Sequence, residues 1–123
     1  MKRFLAIAVF SLGAVLAAAA ELSASSRADI DRLLSTLGSS DCEFYRNGHW
    51  YSAGQAQDHL KRKYDYLLDK GAVASAEAFI AEAGTKSSMS GTPYQVRCPH
   101  EEAQPSAVWL GNALRRIREA RRP

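Results

Sequence analysis

The sequence predicts an α+β domain: a small three-stranded antiparallel sheet, strand order 2-1-3, packed with about four helices in the chain order α-β-β-α-α-β-α. Three observations predict it. Apolar residues recur at helical spacing in four separate segments. Two aromatic-rich runs flank Asn47-Gly48, a dipeptide suited to the tight turn of a β-hairpin. The two cysteines, Cys42 and Cys98, come side by side if a third strand runs antiparallel to the first.

Ahead of this domain, residues 1–20 read as a cleaved signal peptide. Lys2 and Arg3 form a positive start, Phe4 to Leu16 is an uncharged apolar run, and Ala18 and Ala20 are the small residues before a cut at Glu21. The run is shorter than the ~20 residues a spanning helix needs. A retained membrane anchor is the alternative. Cleavage leaves residues 21–123 as one domain, with no transmembrane segment expected. It also leaves fourteen basic against thirteen acidic residues, a net charge of +1. That balance offers nothing to a polyphosphate backbone, so no nucleic-acid partner is expected.

Each element has its own signal. Glu21–Ser26 reads as a flexible leader. Ser26, with Asp29 three residues on, caps a first helix whose stripe is Ile30, Leu33, Leu34 and Leu37 and whose stop is Gly38. The hairpin register pairs Phe44 with Tyr51, Tyr45 with Trp50 and Arg46 with His49, so Phe44, Arg46, His49 and Tyr51 share one face and Tyr45 and Trp50 the other. Ser52 and Gln55 form a capping box for a second helix running to about Lys70 and stopping at Gly71. Ala56, Leu60, Tyr64, Leu67 and Leu68 are its buried stripe, Asp58/Arg62 and Lys61/Asp65 its surface ion pairs, and His59, Lys63, Tyr66 and Lys70 one edge. Ser75 opens a short helix carrying Phe79, Ile80 and Ala83, ended by Gly84. Tyr94 to Cys98 alternates as a strand, and Pro99 to Pro105 reads as a polar connector. Ser106 caps the last helix, with Trp109, Leu110, Ala113, Leu114 and Ile117 inward. Arg115, Arg118 and Arg122 read as part of a solvated face.

An even cysteine count in a secreted chain favours a disulfide over free thiols, and the spacing is far from the C-x-x-C of a redox pair. Antiparallel pairing of the first and third strands sets Cys98 beside Cys42, Val96 beside Phe44 and Tyr94 beside Arg46.

Four stretches, "FYRNG", "HLKRK", "SAEAFI" and "SSMSGTPY", resemble in order and spacing the YfeK-like family of small periplasmic proteins of unknown function. The resemblance covers about Ile30 to Leu114. It implies a periplasmic protein of a Gram-negative bacterium and carries over no activity and no site residue.

Several constellations compete for a function. Ser88 or Ser90 with His59 would make a small hydrolase acting on envelope glycan or peptide, but the loop is neither G-x-S-x-G nor S-x-x-K. The same loop, with Lys86 nearby, also suits an anion cradle, in which Arg46, Asn47, His49, His59, Lys63, Ser88 and Ser90 converge on a small ligand. The structural reading makes the serines a brace for the hairpin and His59 and Lys63 the edge of the core. Tyr45 and Trp50 are core if helices cover both sheet faces, the reading that ordinary cross-strand packing favours, and an aromatic platform for a sugar or partner if they cover one. The three histidines show no metal-binding spacing, and no metal or cofactor is expected. The sequence thus points to a non-enzymatic binding or accessory module for an envelope component or protein partner.

Overall fold

The computed structural model describes residues 6–9, 11, 13 and 21–123. The expected signal peptide and its cleavage point fall almost wholly outside them. The described elements are α1 (Ala24–Gly38), β1 (Glu43–Arg46), β2 (His49–Tyr51), α2 (Ala53–Asp69), α3 (Ala76–Ala83), β3 (Gln95–Arg97), β4 (Gln104–Pro105) and α4 (Ser106–Ala120). No helix among them is long and apolar enough to cross a membrane.

The fold is α+β with four helices, but the antiparallel sheet has four strands in the order β2-β1-β3-β4, not three. The extra strand lies in the stretch expected to be a polar connector. Gln95 pairs with Pro105 and Val96 with Gln104. A two-residue strand containing proline has no alternating pattern to betray it; it exists because β3 offers an open edge, where a proline lacking an N–H is tolerated.

The rest of the register is as expected. Phe44 pairs with Tyr51, Tyr45 with Trp50 and Arg46 with His49 across the hairpin, and Phe44 with Val96 across β1 and β3. Asn47 and Gly48 both take positive φ, 49° and 90°, which lets the two-residue turn follow the twist of its strands. Cys42 and Cys98 are disulfide-bonded, tying the start of β1 to the end of β3. Closing a loop of this length stabilises the fold by up to about 4 kcal/mol in the chain-entropy account.

The core lies between one sheet face and the helices. Ile30, Leu33, Leu37, Phe79, Val96 and Leu110 are its largest fully buried side chains. Helix α1 packs on α2, α3 and α4, while α4 also covers β3 and β4 and α2 leans on β1. The Phe44 ring meets Trp109 edge-on at 5.7 Å. Helix α2 ends as its sequence requires: Gly71 adopts φ 63°, and Gly71 and Ala72 donate back to the carbonyls of Leu68 and Leu67.

Several expectations about the helices need correction. The cap of α1 is Ser23, whose hydroxyl accepts from the Ser26 N–H at 3.1 Å, so the expected leader is already helix from Ala24, with Leu22 buried before it. Asp29 is not a capping partner. It is buried, its Oδ2 3.2 Å from Arg118 Nε and its Oδ1 2.9 Å from Arg121 Nη1. Arg118 also bonds Glu77, so this arginine is not part of a merely solvated face but joins α1, α3 and α4. Ser106 is no cap either. It is the buried first residue of α4, and its N–H donates to the Tyr94 carbonyl at 2.9 Å.

Tyr45 and Trp50 lie on the sheet face away from the helices, with Glu43 and Arg97. Both are only half-buried, outside the core, because α2 and α4 pack on the Phe44/Val96 face alone. Their rings meet edge-on at 5.3 Å, and the Arg97 guanidinium stacks 4.0 Å over Trp50.

Candidate functional site

Between the inner face of the hairpin and the first turns of α2 lies a cavity of about 250 Å³. Phe44, Tyr51, Ala56 and Leu60 supply apolar wall, and Arg46, Asp58, His59, Arg62 and Tyr94 supply polar groups. The local sequence accounts for this composition. Strand alternation sends Phe44, Arg46 and Tyr51 to one face, and His59 and Arg62 stand three residues apart on α2, on its edge toward the hairpin.

The polar groups form a chain. Arg46 stacks over the Tyr51 ring at 4.7 Å and reaches His59 Nδ1 with Nη1 at 3.3 Å. His59 Nε2 lies 3.1 Å from the Tyr94 hydroxyl. Lys63 Nζ lies 3.2 Å from the same hydroxyl and donates to the Lys86 carbonyl at 3.2 Å. The register expectation set Tyr94 beside Arg46. The observed register keeps Tyr94, the residue before β3, at the position opposite Arg46; its backbone donates to the Thr85 carbonyl and accepts from Ser106, and the two side chains meet through His59.

The electrostatics follow from this packing. Burial, then the charges of Arg46, Lys63 and Arg62, lower the His59 pKa to about 4, so the ring is neutral at pH 7. Burial, then Arg46, also lowers the Lys63 pKa, and burial raises that of the Tyr94 phenol. Among the described residues, no ion pair involves Arg46, Arg62 or Lys63. The expected Asp58/Arg62 pair does not form although both line the cavity, whereas Lys61 and Asp65 do pair, at 3.2 Å.

The serine loop sits beside this chain rather than in it. Ser90 Oγ donates to Asn47 Oδ1 at 2.7 Å, and Asn47 Nδ2 donates to Ser87 Oγ at 3.2 Å. Ser87, which is buried, also accepts from the N–H groups of Met89 and Ser90. Asn47 is thus gripped at both ends of its amide by the loop. Ser88 is exposed, with no side-chain hydrogen bond among the described residues, and His49 is the exposed first residue of β2, stacked edge-on against Tyr51. Neither Ser88 nor Ser90 hydrogen-bonds His59. The structure therefore brings together Arg46, His59 and Lys63, sets Asn47 and Ser90 in a neighbouring brace, and leaves His49 and Ser88 outside both.

Sequence reasoning missed Tyr94, Arg62 and Ser87. Tyr94 was visible as an inward position of a strand, but nothing local says that its hydroxyl joins two helix side chains. Ser87 was one serine among three in the loop, and its burial is a tertiary fact. Among the described residues no cluster of three or more His, Cys, Asp or Glu side chains is arranged to hold a metal ion.

No curated protein and no solved structure matches the chain. Residues 24–118, which include every element described above except the last two residues of α4, match the family of unknown function DUF5329, and the chain belongs to that family.

Proposed function

We propose that this protein is a non-enzymatic binding module of the bacterial periplasm, which holds an envelope component or a protein partner at the cavity between the hairpin and α2. One observation carries the reading: the partly buried Arg46 lines a cavity with apolar walls, close to the partly buried Lys63, the exposed Arg62 lines it too, and among the described residues none of the three has a carboxylate partner within ion-pair distance. Charges that serve stability are normally paired when they are partly buried. Cations left unpaired beside a cavity, around a histidine kept neutral, suit a ligand that brings the missing charge.

The periplasmic address has three supports: the signal-peptide pattern of residues 1–20, the YfeK-like resemblance, and a disulfide that suits an oxidising compartment. The rival reading, hydrolysis through Ser88 or Ser90, lacks the serine–imidazole hydrogen bond that would activate a nucleophile.

The test is a pull-down from periplasm and envelope fragments, comparing the wild type with Arg46→Ala/Arg62→Ala. A partner recovered by the wild type and lost with the variant is the expected result. Equal recovery of every partner would sink the reading.

A further inference from the structure

We infer that the cavity takes an oxyanion, a carboxylate or phosphate carried on a small apolar body, and that the Tyr94 hydroxyl is its central hydrogen-bond donor. The inference rests on the binding-module reading and gives that module a ligand class.

The argument is a count of protons along the chain. A guanidinium has N–H donors and no acceptor, so the 3.3 Å contact from Arg46 requires a bare lone pair on His59 Nδ1. The ring is neutral at pH 7, which puts its single proton on Nε2. Nε2–H then donates to the Tyr94 oxygen at 3.1 Å. The Lys63 ammonium, also donor only, reaches the same oxygen at 3.2 Å. Both acceptor positions of the phenol are therefore filled, and its own proton can go to neither neighbour. Among the described residues no hydrogen bond receives it. Tyr94 lines the cavity, and a ligand there is what can accept that proton.

The surroundings narrow the ligand further. Arg46 uses one nitrogen on His59 and keeps its other N–H groups, and Arg62 adds a second guanidinium. Such forks bind carboxylates and phosphates well. A metal ion or an amine would meet two arginines. Asp58 is the one carboxylate in the lining, so it weighs against ligands of high negative charge. Phe44, Tyr51, Ala56 and Leu60 give an apolar group something to bury against. A volume of about 250 Å³ is that of roughly eight waters, below the usual range of drug-sized sites, and suits a single ring or short chain.

The experiment is an NMR titration of the disulfide-bonded protein with benzoate, phenyl phosphate, inorganic phosphate and benzamide at equal ionic strength. Saturable shifts at His59, Leu60 and Tyr94 are expected with benzoate or phenyl phosphate, and these two arms tell a carboxylate source from a phosphate one. Benzamide should bind at least about tenfold more weakly, since it lacks the charge. Tyr94→Phe should weaken oxyanion binding about tenfold. Benzamide binding as tightly as benzoate overturns the ligand class. Inorganic phosphate binding as tightly as phenyl phosphate overturns the apolar body. Histidine ¹⁵N shifts read the tautomer without any mutation, and a His59 protonated on Nδ1 overturns the donor assignment even if Tyr94→Phe fails to fold. The two proposals fail separately. An Arg46-dependent envelope partner with no response to either organic anion sinks the oxyanion inference alone, and anion binding with no such partner sinks the envelope reading alone.

Discussion

Two clusters of positive charge in this small fold are built differently. At the junction of α1, α3 and α4, Arg118 and Arg121 meet the buried Asp29, and Arg118 also meets Glu77. There every cation has a carboxylate within reach. Between the hairpin and α2, Arg46 and Lys63 are held by a neutral histidine, a phenol, an aromatic face and a backbone carbonyl. The first cluster is closed, with its charges spent on one another. The second is electrostatically incomplete and opens on a cavity. The difference teaches how a structural ion cluster is told from a binding one: the test is whether the charges are already neutralised.

The comparison breaks most visibly at Asp29. Asp29→Ala leaves two arginines facing each other across the space of a lost carboxylate. It is expected to cost about 3 kcal/mol, read by urea unfolding, with ligand binding at the cavity unaffected. A loss below about 1 kcal/mol would show that the closed cluster is not structural.

Acid should act on the open cluster first. The His59 pKa is held near 4 in the folded protein and lies at about 6.5 in the unfolded chain. On acidification the unfolded chain takes the proton first. The stabilisation is therefore complete above about pH 6.5 and is lost as the pH falls towards 4. Because the ring is only part-buried, solvent screening reduces the effect to about 1–2 kcal/mol. His59→Gln should flatten the stability profile across this window, and an unchanged slope would remove His59 as its source. Glu77, whose pKa is lowered mainly by its hydrogen bond to Arg118, responds only at lower pH.

The smallest effect is expected from Arg46→Ala/Arg62→Ala. Removing unpaired cations relieves mutual repulsion and forfeits one stacking contact and one hydrogen bond, so stability should move by less than about 1 kcal/mol. A large loss would place this cluster with the structural one and end the contrast.

Much of the architecture was legible in the sequence because it rests on local rules. The Asn47-Gly48 turn sets the hairpin register, and that register, continued to β3, brings the two cysteines together. Ser52, Gln55 and Gly71 bound α2 by satisfying its own end groups. What failed was settled by distant partners. Asp29, three residues after Ser26, resembles half of a capping box, yet it is drawn to arginines 89 and 92 residues away in sequence. β4 has no pattern of its own and forms on an edge that β3 provides. Among the proposed site residues, Arg46, His59 and Lys63 were chosen by charge, strand register and helix spacing; Arg46 does meet His59, and Lys63 joins them through Tyr94.

The sequence by itself therefore determined the four helices, the hairpin and third strand with their register, and the disulfide, because periodicity, turn chemistry and capping act over a few residues. Only the tertiary structure decided which charges are neutralised and which are left facing a cavity. A side chain's partner depends on what lies across space, and the spacing of residues along one chain does not contain that information.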